Sequence, residues 1–518
     1  MEFTIPRQVQ FAAKEFAAID GIVDGDIRLT FAEVGEQVLD VAGAFVAAGL
    51  QPGERVAVWA PNMAEWVLGA MGALSAGAIL VPLNTRYKGM EAADILQRSK
   101  ATILLTVSGF LGNDYVTMLN ASGAELPDLR TTIVLRGDAP TGTIAWADFV
   151  ATSTPKHRAT AERRIAAQSP DDVSDILFTA GTTGRSKGVM TTHEQAIRVF
   201  DAWSSIVGVE AGDRYLVVNP FFHSFGYKAG IIACFVSGAT IVPEPVFDVP
   251  TVLAHIEAEQ ITVLPGAPTV YFSILNHPDR DNYDLSSLRL AVTGAAAVPV
   301  ELIKRMREEL TFRTIVTAYG LSESTGTVSI CRPDDPPEII SKTSGRAIPG
   351  VDVKIVDDDG NEVPRGEPGE IICKGYNVMV GYLDDPEATA ETIVDGWLHT
   401  GDIGTMDDDG YIAITDRKKD MFITGGFNAY PAEIENILLR HPAIAQVAVI
   451  GMADERMGEV GRAFVVVRPG ESLTAEQLIA WARDNMANYK VPRKVDIVDS
   501  LPTNPAGKIV KFELRDRA

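Results

Sequence analysis

Three cysteines in 518 residues, Cys234, Cys331 and Cys373, are too few and too far apart to build a disulfide framework or a thiolate metal cage. Histidine is scarce too, with seven in the chain and none clustered with cysteine, which argues against a zinc site. Basic residues are in the minority. Lys and Arg number 46 against 69 Asp and Glu, and the resulting net charge of −23 disfavours nucleic acid and anionic membrane as partners. That balance still leaves room for a local cationic pocket. Met1-Glu2-Phe3-Thr4-Ile5-Pro6 lacks the basic-then-apolar layout of a secretory signal, so a cytoplasmic location is expected. The most apolar stretch, Trp66 to Leu83, is broken by Gly69, Gly72, Ser75, Gly77 and Pro82. It reads as a small-residue helix followed by a buried strand rather than as stable membrane insertion.

What remains is a globular composition, 46% apolar and 22% charged, in a chain long enough for roughly three domains or subdomains. Strand and helix signals alternate through the first third: Arg55 to Trp59, then helical Met63 to Ala76, then Ala78 to Val81, helical Met90 to Ser99 and Thr102 to Thr106. This rhythm predicts parallel strands covered by helices. A similar rhythm returns with strands at Tyr215 to Val218, Thr240 to Val242, Ile261 to Leu264 and Leu290 to Val292, and a helix at Val252 to Ala258. From about Gly345 short β segments dominate. Val351 to Val363 reads as a hairpin turning at Asp357-Asp358-Asp359-Gly360. Beyond a polar break at Asp416 to Asp420 another α/β unit begins, so the domains are expected to be 1–415 and 416–518.

The stretch Phe178-Thr179-Ala180-Gly181-Thr182-Thr183-Gly184-Arg185-Ser186-Lys187-Gly188 joins flexible backbone, hydroxyls and cations in one loop. Glycines allow close approach to an anion, and consecutive amides can form an anion-binding nest. Ser186 before Lys187 and Gly188 after it depart from the common P-loop, and a turn-rich surface loop has the same composition. Tyr319-Gly320-Leu321-Ser322-Glu323 follows an apolar strand and offers a ring, a hydroxyl and a carboxylate, suited to adenine, a substrate carboxylate and Mg²⁺; a turn with a capping Ser322 fits as well. Gly401-Asp402 suits ribose hydroxyls or a β-turn. Asp416-Arg417 to Asp420 and Gly507-Lys508 read alone as a solvated loop and a basic tail.

Together, and in this order, these motifs resemble the adenylate-forming superfamily of acyl-CoA synthetases, luciferases and peptide-synthetase adenylation domains. Ala180 and Ser186 replace a hydroxyl residue and a proline of the family's phosphate signature, and Ser322 replaces a threonine. The resemblance spans nearly the whole chain. It implies an α/β fold: a large N-terminal domain of two α/β subdomains plus a β-barrel-like unit, and a small mobile α+β C-terminal domain. It implies a reaction in two halves, with ATP, Mg²⁺ and coenzyme A. A carboxylic acid becomes an acyl-adenylate, and a thiol then displaces AMP. A homodimer is left open.

Carried over residue by residue, Lys508 bridges the reacting carboxylate and AMP, while Thr179, Gly181, Thr182, Thr183, Gly184 and Lys187 hold phosphates. Glu323 binds the metal, and Asp402 and Arg417 hold the ribose. Gly294, Ala295, Ala296 and Tyr319 line the adenine, with Gly320 and Ser322 beside them. Asp416 is the hinge, and Lys419, Gly425 and Gly426 serve coenzyme A. His223 lies in Pro220-Phe221-Phe222-His223-Ser224-Phe225-Gly226-Tyr227-Lys228, the segment the family places beside the acyl carboxylate, with Phe225, Gly226, Tyr227 and Lys228 as an acyl pocket. Lys228 enters an otherwise apolar helix and needs a polar partner; an oxygenated substrate is the expected one. The whole chain resembles actinobacterial acyl-CoA ligases of steroid degradation, of the hydrindanedione propanoate type. Fatty acid or aryl acid ligation, and acyl transfer to a carrier protein, are the alternatives.

Overall fold

The continuous apolar runs form the centre of a parallel sheet. In the computed structural model, which describes residues 3–179, 186–294, 298, 300–417, 422–468, 470–502 and 511–515, strands Arg55–Trp59, Ile79–Pro82, Ala101–Thr106 and Thr131–Val134 run parallel. Helices Ala64–Ser75, Gly89–Ser99 and Tyr115–Ala121 connect them. Ala101–Thr106 is buried at every position, as a strand covered on both faces must be. The small residues of Ala64–Ser75 serve close packing. A Cβ on Gly72 would stand 2.3 Å from Val41 Cγ1. Among the described residues no helix is long and apolar enough to cross a membrane.

One edge of this sheet carries the hairpin Val173–Thr179/Lys187–Thr192, capped by Gly381–Tyr382. A second sheet takes Asp20–Asp24 and Ile27–Thr30 from the chain start and pairs them with Arg214–Val217 and Thr240–Pro243. Leu290–Gly294, Thr314–Tyr319, Ser329–Ile330 and Arg346–Ala347 continue it. The strand expected at Ile261 to Leu264 reduces to Val263, which bridges Tyr215 and Leu290 before Pro265, lacking an N–H, interrupts the ladder. The two α/β units are thus interleaved rather than successive, each borrowing strands from the other's stretch of sequence.

Val351–Val356 pairs along its length with Gly369–Gly375 and only through Val356↔Glu362 with the expected near partner, which runs into Pro364, a residue without an N–H to continue a ladder. With Ile393–Val394, Trp397–Met406 and Ile412–Arg417 these strands form a five-stranded sheet, the barrel-like unit. The C-terminal residues have a separate core, including Phe422, Ile434, Val449, Val465 and Leu478, beneath the sheet of Phe422–Thr424, Phe427–Ala429, Ile444–Asp454, Gly458–Val467 and Lys494–Ile497.

That core docks on the large domain through charge. Lys490, 1% exposed, lies 2.7 Å from both Glu91 and Glu433 and 4.7 Å from the centre of the Tyr87 ring. Arg86 covers Phe427 at 4.8 Å, and Phe427 stacks on Tyr489.

A second buried cation corrects the sequence expectation. The Lys228 ammonium is fully buried and takes its polar partners from the protein itself: it pairs with Asp175 at 2.9 Å and donates to Thr191 Oγ1 at 2.6 Å. Burial lowers the lysine's pKa, and Asp175 pulls it back. Ser174 and Thr191 donate to the two oxygens of Asp175 at 2.7 and 2.8 Å. Lys228 sits in a π-helical turn, Tyr227–Ile232, the wider coil that continues the helix begun at Ser224–Gly226. Because removing one partner strands a buried charge, Lys228→Met should destabilise the large domain by about 3–5 kcal/mol, and adding Asp175→Asn should recover at least half of that. Denaturant unfolding measures both. The kcat/KM for oxygenated and for saturated acids should fall together, since the ammonium is already partnered by Asp175 and Thr191.

His193 opens helix His193–Val207 beside the same cluster, its Nδ1 accepting from the Ile5 N–H at 3.3 Å. Burial pushes its pKa down from 6.5 to about 4, against the pull of Asp175 and Asp172. The folded protein therefore binds fewer protons here than the unfolded chain, and stability present above pH 6.5 is lost as pH falls toward 4. Between pH 7 and pH 5 this residue should cost about 2 kcal/mol, a slope that His193→Gln should remove from unfolding curves taken at the two pH values.

Candidate functional site

The glycine-rich loop closes the hairpin Val173–Thr179/Lys187–Thr192, where Thr179 faces Lys187 and Phe178 faces Gly188. Gly181, Thr182, Thr183 and Gly184 lie outside the described residues. Its stems are held from three sides. The Thr179 hydroxyl reaches the Lys187 carbonyl at 3.5 Å. The Gly188 carbonyl accepts from the Leu383 N–H at 2.7 Å, and a Cβ on Gly188 would stand 3.1 Å from Leu383 Cβ, so the absent side chain lets the edge segment approach. Arg98 donates to Ser186 Oγ at 3.2 Å.

Lys187 points toward Tyr382, its ammonium 4.7 Å from the ring centre, and the Tyr382 hydroxyl donates to Glu323 Oε1 at 2.9 Å. Cation, phenol and carboxylate thus form one cluster from three distant parts of the chain. Burial raises the Glu323 pKa, while hydrogen bonds and Lys187 oppose it. Its remaining oxygen is suited to a cation that also binds phosphates, the usual arrangement for Mg²⁺, which needs only one or two protein carboxylates. Among the described residues no group of three or more metal-ligating side chains exists.

Tyr319 ends strand Thr314–Tyr319, one position beyond Ala318, which lies opposite Gly294 on the neighbouring strand. Gly320 must be glycine, for a Cβ there would stand 2.2 Å from the Gly326 carbonyl oxygen. In the turn that follows, Ser324 rather than Ser322 supplies the capping hydroxyl, accepting from the Leu321 N–H at 3.1 Å. The Tyr319 hydroxyl donates to Asp402 Oδ2 at 2.7 Å, and Asp402 lies opposite Arg417 across an antiparallel pair, with Ile403 opposite Asp416. Sites expected for adenine, ribose and hinge are therefore contiguous. Ala295, Ala296, Lys419 and Lys508 lie outside the described residues.

His223 caps the turn Ser224–Gly226, with Nδ1 accepting from the Phe225 N–H at 3.1 Å. In the neutral ring that leaves the proton on Nε2, which is a donor. Solvent reaches the ring, yet surrounding protein lowers its pKa by desolvation, favouring this neutral form. Gly226 is forced by crowding: a Cβ would meet the Pro220 oxygen at 2.1 Å. The segment adjoins the Tyr319 turn, where a Cβ on Gly326 would touch Ser224. Phe225 is partly buried, whereas Tyr227 is fully buried against Trp66 with its hydroxyl unpaired.

Gly425 and Gly426 form the two-residue loop between Phe422–Thr424 and Phe427–Ala429, with φ of 56° and 84°. Both values are positive, the type I′ requirement that glycine meets without strain. Sequence reading missed Asp175, Tyr382, Arg98 and the Glu91–Lys490 pair. Asp175 alone had a visible signal, an acid inside the apolar run Ile176-Leu177-Phe178 and its approach.

Residues 7–383 match the AMP-binding enzyme family and residues 433–508 the AMP-binding enzyme C-terminal domain. The chain is 53% identical over 517 residues to 3-[(3aS,4S,7aS)-7a-methyl-1,5-dioxo-octahydro-1H-inden-4-yl]propanoyl:CoA ligase of Rhodococcus jostii (strain RHA1), covering 99% of this chain and 98% of that one. It is 48% identical over 514 residues to the ligase of the same name from Mycobacterium tuberculosis (strain ATCC 25618 / H37Rv), with 99% and 98% covered. Among solved structures, amide bond synthetase McbA from Marinactinospora thermotolerans superimposes with a TM-score of 0.84 at 29% identity, covering 99% of each chain. With the phosphate-loop hairpin, the Tyr319 turn and the Asp402 strand gathered at one place, and with matches of this length across both domains, the chain belongs to the AMP-binding enzyme family.

Proposed function

We propose that this protein is an ATP-dependent, AMP-forming acyl-CoA ligase acting on a steroid-derived bicyclic keto acid of the hydrindanedione propanoate class. The observation that carries the substrate class is the full-length identity of 53% to the Rhodococcus ligase. A carboxylate is a poor electrophile because its oxygen leaves badly; joining it to AMP corrects this. Both reactants are anions, so the site must present positive charge and aligned donors where negative charge accumulates.

Lys187 and the loop from Thr179 hold the phosphates, and Glu323 supplies a ligand to Mg²⁺. Bound there, the metal neutralises phosphate charge. Tyr382 orients the Glu323 carboxylate and packs against the Lys187 ammonium. Tyr319 and Gly294 line the base, and Asp402, positioned by the Tyr319 hydroxyl, meets the ribose beside Arg417. His223 presents Nε2–H toward the acyl carboxylate and stays neutral because it is desolvated. Phe225 and Gly226 border the acyl pocket. Lys508 supplies the mobile cation for adenylation. Residues 416–518 turn as a lid about Asp416, bringing Gly425 and Gly426 beside the pantetheine arm with Lys419 near the coenzyme. We place the enzyme in the cytoplasm, where ATP and coenzyme A are available.

Coenzyme-A-dependent AMP formation, measured across the bicyclic diketo propanoic acid, straight medium-chain acids and aryl acids, tests the reading. The bicyclic acid should lead in kcat/KM by at least about tenfold, equivalent to roughly 1.4 kcal/mol of differential transition-state binding. Preference for a fatty or aryl acid would overturn the substrate class, and ADP release would overturn the chemistry. Lys508→Ala should lower adenylate formation by about 100-fold or more, as loss of a transition-state charge partner does. The same variant should still convert a supplied acyl-adenylate to thioester at near-parental rate; equal loss in both half-reactions would make Lys508 structural.

A further inference from the structure

Helix Gly89–Ser99 turns Ala92, Ala93, Ile95 and Leu96 into the core and keeps Glu91, Asp94 and Arg98 along its outer side. These three stand three and four residues apart, so they stack along one face. At the N-terminal end Glu91 divides its carboxylate. Oε2 accepts from the Lys88 N–H at 2.9 Å and closes the first turn, while Oε1 receives the Lys490 ammonium of the C-terminal domain at 2.7 Å. At the other end Arg98 pairs with Asp94 at 3.3 Å, lies 5.1 Å from the centre of the Phe178 ring and donates to Ser186 at 3.2 Å. Phe178 belongs to one stem of the glycine-rich loop, and Ser186 directly precedes Lys187, the first residue of the other. A single helix thus touches the docked domain at one end and both flanks of that loop at the other, with its contact residues about 10 Å apart along the axis.

We propose that helix Gly89–Ser99 couples docking of the C-terminal domain to Phe178 and Ser186, the positions flanking the phosphate-binding loop, with Glu91 and Arg98 as positioning residues at its ends. The inference rests on the phosphate-holding role given to that loop above. The physical link is the shared carboxylate. The group that caps the helix is the group that receives Lys490: the ammonium on Oε1 fixes the orientation of the carboxylate whose Oε2 closes the first turn, so withdrawal of the lysine leaves that carboxylate free to rotate and the first turn less firmly held. The tilt and fraying of the helix then reach Arg98 and, through its guanidinium, Phe178 and Ser186. Ser186 belongs to this arrangement as the acceptor. A proline there, as in the family signature this loop resembles, has no hydroxyl to offer.

A double-mutant cycle decides it. Glu91→Gln keeps an acceptor for the Lys88 N–H and removes the charge that holds Lys490; Ser186→Ala removes the acceptor at the loop. KM for ATP and for the acid is measured in the full-length parent, both single variants and the double, with Lys187→Ala as a reference for the loop. Each single variant should raise KM for ATP about three- to tenfold, with KM for the acid nearly unchanged and the double no worse than the worse single, because both cut one coupling. Effects that multiply in the double variant would show two independent contacts and overturn the proposal, as would a single variant that leaves KM for ATP at the parental value. An unchanged KM for ATP in Lys187→Ala would instead overturn the phosphate role of the loop. If Glu91→Gln unfolds early in a thermal scan, Lys490→Gln takes its place in the cycle with the same expected and overturning results.

Discussion

The buried pair of Asp175 and Lys228 sets the geometry on which the rest of the site depends. Asp175 belongs to the strand that feeds the glycine-rich loop, and Lys228 to the helical segment that begins at His223. An ion pair with both partners fully buried is an expensive way to hold two elements together, and hydrophobic residues of similar volume often stabilise as well or better. What charge adds is direction. Asp175 accepts from Ser174, Thr191 and Lys228, so strand, returning strand and helix meet in only one register. The strand that leads to the glycine-rich loop and the segment that carries His223 are thereby fixed relative to each other; on the function proposed above, these are the nucleotide and acyl sides, and their fixed placement is the condition for a reaction limited by orientation.

The same economy recurs at lower cost elsewhere. Tyr382 serves Lys187 with its ring and Glu323 with its hydroxyl, and Glu91 serves its own helix and the neighbouring domain with one carboxylate. In a chain of net charge −23, cations that matter are kept by aromatic faces and paired acids rather than left to the surface field.

Local pattern made the elements legible. The strands at Arg55–Trp59 and Ala101–Thr106 and the helix at Ala64–Ser75 follow from apolar runs and small-residue spacing. Which sheet a strand joins did not follow, because register and partnership are set by contacts remote in sequence; Asp20–Asp24 pairs with a strand more than two hundred positions on, as Ile22 opposite Ile241 shows. The motif residues Tyr319 and Asp402 were legible by resemblance, but their hydrogen bond was not. Lys228 was misread for a related reason: a lone cation in an apolar helix demands a partner, and the sequence does not say whether substrate or protein supplies it. Tyr382 gave no signal at all, since its role arises only from the edge strand that brings it to Glu323.

The antiparallel pairing of Asp402 with Arg417 carries a mechanical meaning beyond recognition. These residues face each other at the end of the pairing between Trp397–Met406 and Ile412–Arg417, one step beyond Ile403 opposite Asp416. On the function proposed above, a ribose held by Asp402 would be held at the rung from which the rest of the chain continues. The small domain is therefore continuous in sequence with the very strand that the Tyr319–Asp402 contact secures, so that contact and the tether share one stretch of backbone.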